Sequence, residues 1–524
     1  MPQTDTTSAL SKHWLVLHLV IAFISGALCH LSFAPYDIQI IAPLSIAVLY
    51  VQLTFVKPLT AKAHVYLGLA YGFGLFITGL RWVHVSLDTF GGLPLIVTLG
   101  LMVLLSLYLA LFPAAVAYVF AKLKHHSAVF NALVFAALWT LCEYLRGEML
   151  TGFPWLLIGY SQTLGVFSQL ASIIGVLGLS FVIVLLAALC INLIKGSKAS
   201  AVLLIIGLAL STWLSTITSV KPNGKTTELA LIQGNIEQSA KWQQEAMWPT
   251  ISRYMKLTRE HFDADLIIWP EAAMPAVEAW VEDYLHGIDQ EALRHNSAIV
   301  TGIIARSATV EDNEVSQDYY NALITLGQHD NTAHQEARYS DEHSNRYYKH
   351  QLLPIGEFVP FAQLLRPLAP LFNLPMSSFT RGDAVQPNLS AKGIQLTAAI
   401  CYEIAFSQLV RQNLTPITDM ILTVSNDAWF GRSIGPHQHM QIAQMRAIEL
   451  GRPVIRVTNT GVTAIVNPQG QITDQLDQFE EGVLRATVAS YQGVTYYYRL
   501  GHAPILWLSA LLVAFGFILK RYKR

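Results

Sequence analysis

The sequence has few charged residues and only four cysteines. Asp, Glu, Lys and Arg make up 13% of its 524 residues, whereas 53% are apolar, and the mean hydropathy is +0.40. The chain is too apolar for an ordinary soluble protein and too patterned for a disordered one. The formal net charge of −1 provides no basic footprint for nucleic acid. A membrane protein is the class that remains.

Long apolar runs support this reading. Runs of about 18 or more apolar residues are long enough to cross the ~30 Å hydrocarbon core as helices, and eight occur, at residues 14–33, 37–56, 64–83, 93–120, 128–146, 163–194, 200–219 and 502–519. We therefore expect a polytopic α-helical membrane bundle of eight spans. The domains would be residues 1–220 with seven spans, 221–499 as an extramembrane α/β domain, and 500–524 as the last span with a basic tail.

The positive charges of the short loops predict the orientation, because Lys and Arg are retained on the cytoplasmic side. One side of the predicted membrane holds Lys12, Lys57, Lys62, Lys122, Lys124, Lys195, Lys198, Lys520, Arg521, Lys523 and Arg524. The other side holds only Arg81 and Arg146 in its short loops. Both termini are thus expected in the cytoplasm, with residues 221–499 on the far side. Glu143 and Arg146, near the outer end of the fifth span, read as an ion pair without a catalytic role.

The cysteines do not form a disulfide framework. Cys29, Cys142 and Cys190 lie in apolar spans, where cysteine usually serves as a small hydrophobic residue. Cys401 lies alone in the far-side region, where a lone thiol is open to oxidation. It therefore needs a functional reason, unless it is simply a buried filler.

Short apolar runs separated by polar and turn residues predict strands in the far-side domain. They lie at 228–236, 264–271, 297–305, 320–327, 395–403, 419–427, 453–461 and 482–490. Helical periodicity occurs at 248–262 and at 437–451, where Gly451 is suited to a C-cap. Strands that are apolar on both faces and alternate with helices indicate a layered α/β domain.

Chemistry in such domains gathers beyond the carboxyl ends of strands. The run at 264–271 ends in WPE with Glu271, the run at 395–403 ends in CYE with Cys401, and the run at 419–427 continues into SNDAWFG. The segment 346–360 reads as a loop that carries Lys349 and Glu357. Together they contain a thiol, a carboxylate able to take its proton and a cation able to stabilise thiolate and oxyanion.

Taken singly, each of these residues has an ordinary interpretation. A strand-end carboxylate such as Glu271 is usually solvated or caps a helix, and a loop lysine such as Lys349 usually lies at the surface. Cys401 has no His or Cys at metal-ligand spacing around it. The HxH of His437 and His439 is weak without a third ligand, so we expect no metal site and no cofactor.

The combined motifs resemble the Glu-Lys-Cys signature of the nitrilase superfamily. The full length is similar to its membrane-embedded members, the bacterial apolipoprotein N-acyltransferase family. The resemblance rests on WPE, CYE, NIEQSAKW (235–242), YYKHQLLPIGEFVP, LPMSSFTRGD (374–383) and SNDAWFGRSIGPHQHMQIAQMRAIELGRPVIRVTNTG. It implies an αββα sandwich at the periplasmic face of the inner membrane.

The resemblance also implies roles. Glu271 would be the general base, Lys349 the oxyanion partner and Cys401 the nucleophile, with supporting roles at the positions of Trp242, Glu357, Tyr402 and Glu403. The implied reaction is N-acylation of the diacylglyceryl-cysteine of an apolipoprotein by a phospholipid donor, through a thioester on the nucleophile.

Two alternatives remain open at this point. A membrane-anchored nitrilase-type amidase would use the same thiol intermediate with water as the acceptor, although eight spans exceed what an anchor needs. A transporter is disfavoured because no span carries paired internal charges. The apolar loops at 367–376 and 428–431 either dip into the membrane interface as lids or pack on the domain's own core.

Overall fold

The computed structural model describes residues 6–56, 60–217, 219–311, 314–327, 339–341, 343–354, 356–358 and 379–522. The chain divides into two compact units. One comprises Met1–His84, Pro94–Ile217 and Arg499–Arg524, and the other comprises Val85–Leu93 and Thr218–Tyr498. The short segment Val85–Leu93 therefore belongs to the second unit, although it lies among the apolar runs in the sequence.

The first unit consists of apolar helices. The long ones are Thr6–Cys29, Ile41–Phe55, Ala61–Gly79, Leu95–Leu123, Ala128–Glu148, Ala171–Ile194, Lys198–Leu214 and Ala503–Arg521. Among the described residues, five segments are long and apolar enough to cross a membrane, namely His13–Ser32, Leu95–Leu123, Ala128–Glu148, Ser168–Ile194 and Ala503–Arg521.

The expectation of eight spans is supported only in its coarser form, a region of several apolar helices. Ala61–Gly79 and Val83–Phe90 are bent by 58° relative to each other and count as a sixth segment only if they form one span. The runs at 37–56 and 200–219 form helices of 15 and 17 residues. Both are shorter than the ~20 residues that a span normally requires, because turns occupy residues 39–40 of the first run and 215–216 of the second.

Glu143 and Arg146 are both buried near the end of the fifth apolar helix. Glu143 Oε1 accepts hydrogen bonds from Trp139 Nε1 (3.0 Å) and from the main-chain N–H of Ile158 (2.8 Å). Arg146 Nη1 donates to the carbonyl of Phe153 (2.9 Å). The two side chains face protein and fasten the helix to the connection that follows it.

The described part of the second unit contains two six-stranded sheets. Its strands are β1 Val220–Gln233, β2 Leu266–Ile268, β3 Ala298–Glu311, β4 Glu314–Leu326, β5 Arg346–Tyr348, β6 Leu389–Ala391, β7 Ile394–Ile400, β8 Met420–Ser425, β9 Val454–Thr458, β10 Ala464–Val466, β11 Ile472–Gln475 and β12 Gly482–Gly493. The strand orders are β12-β1-β2-β3-β4-β5 and β11-β10-β9-β8-β7-β6. All eight predicted strands are present.

Helices cover the outer faces of both sheets. Met247–Arg259 and Glu282–Arg294 pack on the first sheet and enclose one apolar core with it. A second core lies between the sheets and contains apolar side chains of both. Ser407–Asn413 and Gly435–Leu450 pack on the second sheet, and the latter ends at Gly451 in the left-handed conformation (φ +64°), as predicted. The expected αββα sandwich is confirmed.

The centre of each sheet is parallel. β1, β2 and β3 run parallel in the first sheet, and β7, β8 and β9 do so in the second. The carboxyl ends of parallel strands meet at one edge of a sheet, where ligands of α/β proteins commonly bind. The residues that follow β2, β7 and β8 therefore share this environment.

Candidate active site

Glu271 lies on a tight turn directly beyond β2. The main-chain N–H of Trp269 still bonds to the carbonyl of Val300 in β3 (2.9 Å), and the turn then closes over Gly302. A Cβ atom at Gly302 would lie 2.4 Å from the nitrogen of Ala272, closer than atoms can approach. The missing side chain at Gly302 therefore permits the turn that places Glu271.

Cys401 follows β7 without a gap and opens the 3₁₀ turn Cys401–Ala405. Its φ of +54° lies in the left-handed region, which costs a residue other than glycine about 1–3 kcal/mol and recurs at functional sites. The preceding main-chain N–H, that of Ile400, donates to Glu403 Oε2 (2.7 Å). The turn is thus held in its strained conformation by a carboxylate from within itself.

Lys349 follows β5 and is only 1% exposed. Its Nζ lies 3.4 Å from Glu271 Oε1 and 2.8 Å from Glu357 Oε2. Asn321 Nδ2 donates to Glu271 Oε1 (2.8 Å) and to Glu357 Oε1 (2.9 Å). The donors of Asn321 must face the two carboxylates, which decides the orientation of its amide.

The charges in this cluster stabilise one another. Burial alone would raise the pKa of Glu271, but Lys349 and the hydrogen bonds from Asn321 and the Asn426 N–H (2.8 Å) hold it below its ordinary value. Burial would likewise lower the pKa of Lys349, and the carboxylates of Glu357 and Glu271 outweigh it and raise that pKa. Carboxylate and ammonium are therefore both ionised at neutral pH.

The Cys401 thiol lies within the electrostatic reach of the same cluster. Burial raises its pKa above the ordinary value and the negative charge of Glu271 raises it further, while Lys349 and a hydrogen bond with Ser425 oppose the shift. The resting state thus pairs a protonated thiol with an ionised carboxylate. Only a small fraction of thiolate forms beforehand, so efficient attack on a carbonyl carbon needs proton transfer to accompany it.

This electrostatic arrangement predicts how Cys401 reacts with iodoacetamide. Because the thiol pKa is raised, the alkylation rate should keep rising with pH above 9.0, the ordinary thiol pKa. Glu271→Gln removes a charge that raises this pKa, so it should speed alkylation at pH 8, whereas Lys349→Met should slow it. Peptide mapping by mass spectrometry measures both rates. A plateau near neutral pH, or shifts of the same sign in the two variants, would contradict this arrangement.

A second buried lysine adjoins the cluster. Lys241 is 1% exposed, and its Nζ donates to the main-chain carbonyl of Glu271 (3.1 Å). Burial lowers its pKa to about 8, against the opposing effect of Glu271. The same Nζ lies 5.8 Å from the centre of the Trp242 ring. Trp242 thus adjoins the site through Lys241.

Glu403 fastens the lysine loop to the cysteine turn. Its carboxylate accepts from the main-chain N–H of His350 (2.7 Å) and of Gln351 (3.0 Å), and from the hydroxyl of Tyr347 (3.0 Å). Burial raises its pKa to about 7, although these N–H donors oppose the shift. Glu403 therefore supports the geometry of the neighbouring segments.

Comparisons with known proteins identify the family of this chain. Residues 228–496 match the carbon-nitrogen hydrolase family, and residues 25–189 match the apolipoprotein N-acyltransferase N-terminal domain. An apolipoprotein N-acyltransferase of Shewanella oneidensis is 52% identical, with 96% of each chain covered. One of Photobacterium profundum is 46% identical and covers 96% of this chain and 95% of its own. The chain belongs to the apolipoprotein N-acyltransferase family.

In this member of the apolipoprotein N-acyltransferase family, the structure brings together most residues singled out in the sequence. Lys349 contacts both Glu271 and Glu357, and the charges of Glu271 and Lys349 act on the Cys401 thiol. Tyr402, next to the nucleophile candidate, is buried with its ring 5.0 Å from that of Phe406. Lys241, Asn321, Asn426 and Ser425 were missed. Three of these four lie in motifs that gave a signal in the sequence. Lys241 lies within NIEQSAKW, and Ser425 and Asn426 lie within SNDAWFG.

The predicted apolar loops have different outcomes in this family member. The loop at 367–376 lies outside the described residues. In the loop at 428–431, the Trp429 ring lies 5.8 Å from that of Phe90, and its carbonyl accepts from Ser86 Oγ (2.8 Å). This loop packs against the segment Val85–Leu93 of its own unit.

The HxH pair is not arranged for a metal ion. His437 Nε2 lies 3.2 Å from Gln478 Nε2, whereas His439 Nε2 lies 3.0 Å from the carbonyl of Cys401. Across the described part of this apolipoprotein N-acyltransferase family member, no three or more His, Cys, Asp or Glu side chains are grouped to hold a metal.

Proposed function

We propose that this chain transfers an acyl group from a phospholipid to the α-amine of the diacylglyceryl-cysteine of an apolipoprotein. The observation that carries the proposal is the buried ion pair of Glu271 and Lys349, whose charges act on the half-buried Cys401 thiol, beyond the ends of β2, β5 and β7. A thiol with a base and a cation beside it is equipped for covalent acyl transfer. Family membership supports the apolipoprotein as acceptor.

In the first step, Cys401 attacks the ester carbonyl of the phospholipid. A bond forms between Sγ and the carbonyl carbon as Glu271 takes the thiol proton. Lys349 Nζ and the main-chain N–H of Tyr402 stabilise the oxyanion of the tetrahedral intermediate. The carbon–oxygen bond then breaks, Glu271 returns the proton to the leaving lysophospholipid, and a thioester remains.

In the second step, the α-amine of the lipoprotein attacks the thioester on Cys401. Glu271 takes the amine proton and passes it to the departing thiolate, so that free thiol and free carboxylate are regenerated. The new bond is an amide and the product carries three acyl chains. The thioester conserves the reactivity of the ester, so the protein needs no external energy source.

The supporting residues act on charge and geometry. Glu357 and Asn321 hold Lys349 and Glu271 at their separation of 3.4 Å. The charge of Lys241 favours the ionised state of Glu271.

The apolar helices suit substrates that remain in a lipid bilayer. Each buried CH₂ is worth about 0.8 kcal/mol, so drawing a whole acyl chain into water would be prohibitive. We infer a bacterial inner-membrane protein with seven spans in 1–220, a periplasmic catalytic domain in 221–499, and an eighth span with a cytoplasmic tail in 500–524. Cysteines introduced at each end and labelled from either side of the membrane test this topology.

A reconstituted transfer assay tests the proposed function. The purified protein in detergent is given a phospholipid with labelled acyl chains and a synthetic diacylglyceryl-cysteine lipopeptide, with the N-acetylated lipopeptide as control. We expect label in an amide on the free-amine lipopeptide only, with lysophospholipid released in equal amount. Release of labelled fatty acid regardless of the acceptor would instead favour hydrolysis, and cleavage of simple amides with no lipid turnover would favour the amidase alternative.

A further inference from the structure

His439 is a fully buried residue with no part in the chemistry described above. It lies in the first turns of the Gly435–Leu450 helix and is 1% exposed. Its Nε2 lies 3.0 Å from the main-chain carbonyl of Cys401. A carbonyl oxygen can only accept a hydrogen bond, so this nitrogen must carry a proton.

The other side of the ring determines which form the imidazole takes. His439 Nδ1 lies 3.0 Å from Arg456 Nη2 and 3.3 Å from Asp427 Oδ1, and Arg456 Nη2 also donates to Asp427 Oδ2 (2.7 Å). An arginine in a protein always donates, so Nδ1 accepts. Burial and the Arg456 cation lower the pKa of His439, against the opposing effect of Asp427. The neutral tautomer with hydrogen on Nε2 therefore faces Cys401.

The contact bears on the next peptide bond. The carbonyl of Cys401 and the N–H of Tyr402 belong to the same peptide unit, which is planar and trans, so they point in opposite directions. Holding the carbonyl toward His439 therefore fixes the direction of the Tyr402 N–H. Cys401 is in the strained left-handed conformation (φ +54°), which persists only when surrounding contacts determine it.

We propose that His439 is a positioning residue that aims the Tyr402 N–H at the developing oxyanion by holding the carbonyl of Cys401. Arg456 orients its ring by donating to Nδ1, and Asp427 in turn holds Arg456. This inference rests on the proposed function, because it assumes an oxyanion at Cys401. It assigns the second histidine of the HxH pair to acyl transfer and leaves the first outside it.

The space around Asp427 supports this assignment. A Cβ atom at Gly461 would lie 2.3 Å from Asp427 Oδ2, so only glycine leaves room for the carboxylate there. Ser425 Oγ donates to Asp427 Oδ1 (2.6 Å), and Ser425 also bonds to the Cys401 thiol. The network therefore reaches the nucleophile at its carbonyl and at its sulfur.

The test compares two reactions of Cys401 in His439→Phe, His439→Gln and the control His437→Phe. Acylation by p-nitrophenyl butyrate passes through an oxyanion, whereas alkylation by iodoacetamide does not. Loss of one oxyanion donor typically costs about 10²–10³-fold. In His439→Phe we expect acylation to fall by about 30-fold or more, mainly in kcat rather than KM, and alkylation to change by less than about threefold. Thermal unfolding checks that each variant is folded.

His439→Gln should recover at least part of the acylation rate, because the Gln side-chain amide can donate to the carbonyl. His437→Phe should match the original protein. Equal falls in acylation and alkylation, or normal acylation in His439→Phe, would overturn the inference. The ester probe keeps this result separate from the proposed function. If the ester acylates Cys401 and phospholipid does not, only the lipid donor is refuted. If the ester does not acylate Cys401 in the original protein, the inference is overturned as well.

Discussion

The Cys401→Ser protein is expected to lose N-acylation of a diacylated lipopeptide by at least about 10³-fold, as typically follows loss of a catalytic nucleophile. Serine has nearly the same shape, so the turn after β7 should be preserved. Its hydroxyl is far less acidic than a thiol, and the ionised Glu271, whose pKa lies below its ordinary value, is too weak a base to activate it.

Cys190→Ser is the matched control for this experiment, because Cys190 is an exposed cysteine in the first unit. It should retain full activity when product is measured by mass spectrometry. Both proteins should show the same thermal unfolding. Near-normal turnover by a folded Cys401→Ser protein would mean that another group carries the acyl chain or that transfer is direct.

Glu271→Gln is expected to reduce acyl transfer by about 10²–10⁴-fold, the usual contribution of a general base. Asn321 and the Asn426 N–H bond to different oxygens of Glu271, so the amide keeps an acceptor for one of them, and it cannot take the thiol proton. The same substitution should speed alkylation of Cys401, because it removes a negative charge that raises the pKa of that thiol. A variant whose thiol is more reactive and whose catalysis is lost would distinguish proton transfer from a purely electrostatic role.

Glu260→Gln provides the matched control, since Glu260 is exposed and caps the C-terminal end of the Met247–Arg259 helix. It should leave both reactions unchanged. If Glu271→Gln slowed alkylation and transfer to the same extent, Glu271 would serve to hold the site together, and the general base would have to be sought among the other buried groups.

The core strands could be predicted from the sequence because burial on both faces leaves continuous apolar runs. β2, β7 and β8 are largely or fully buried, and their apolar runs are recognisable in the sequence. The four strands that were not predicted, β5, β6, β10 and β11, have three or four residues. β2 also has only three residues, but it lies within the longer apolar run at 264–271. β5 has no such run around it, so the sequence predicts a loop for 346–360 although β5 lies within it.

The candidate site was predictable where a chemical group ended a strand. Glu271 and Cys401 stand at such ends, and their motifs made them visible. Asn321 lies inside the long β4, and its importance depends on two carboxylates that come from distant parts of the chain. No local pattern encodes that convergence, so only the fold shows it.

His439 illustrates a different limit. The HxH spacing suggested a metal ligand only weakly, and its actual partners, Cys401, Asp427 and Arg456, come from separate elements. The number of membrane spans is difficult to predict from the sequence for a similar reason. Apolar runs predict where helices form, but the bend of 58° after Ala61–Gly79 and the short helix Ile41–Phe55 depend on packing and turns.

The most direct test of the acyl-enzyme is the mass of Cys401 after incubation with a phospholipid labelled in its acyl chains and no acceptor. One labelled acyl group is expected on the peptide that contains Cys401. Hydroxylamine should release it, a diacylglyceryl-cysteine lipopeptide should chase it into an amide, and it should be absent from Cys401→Ser. Transfer of label to the lipopeptide without any detectable label on Cys401 in rapidly quenched samples would contradict the covalent mechanism.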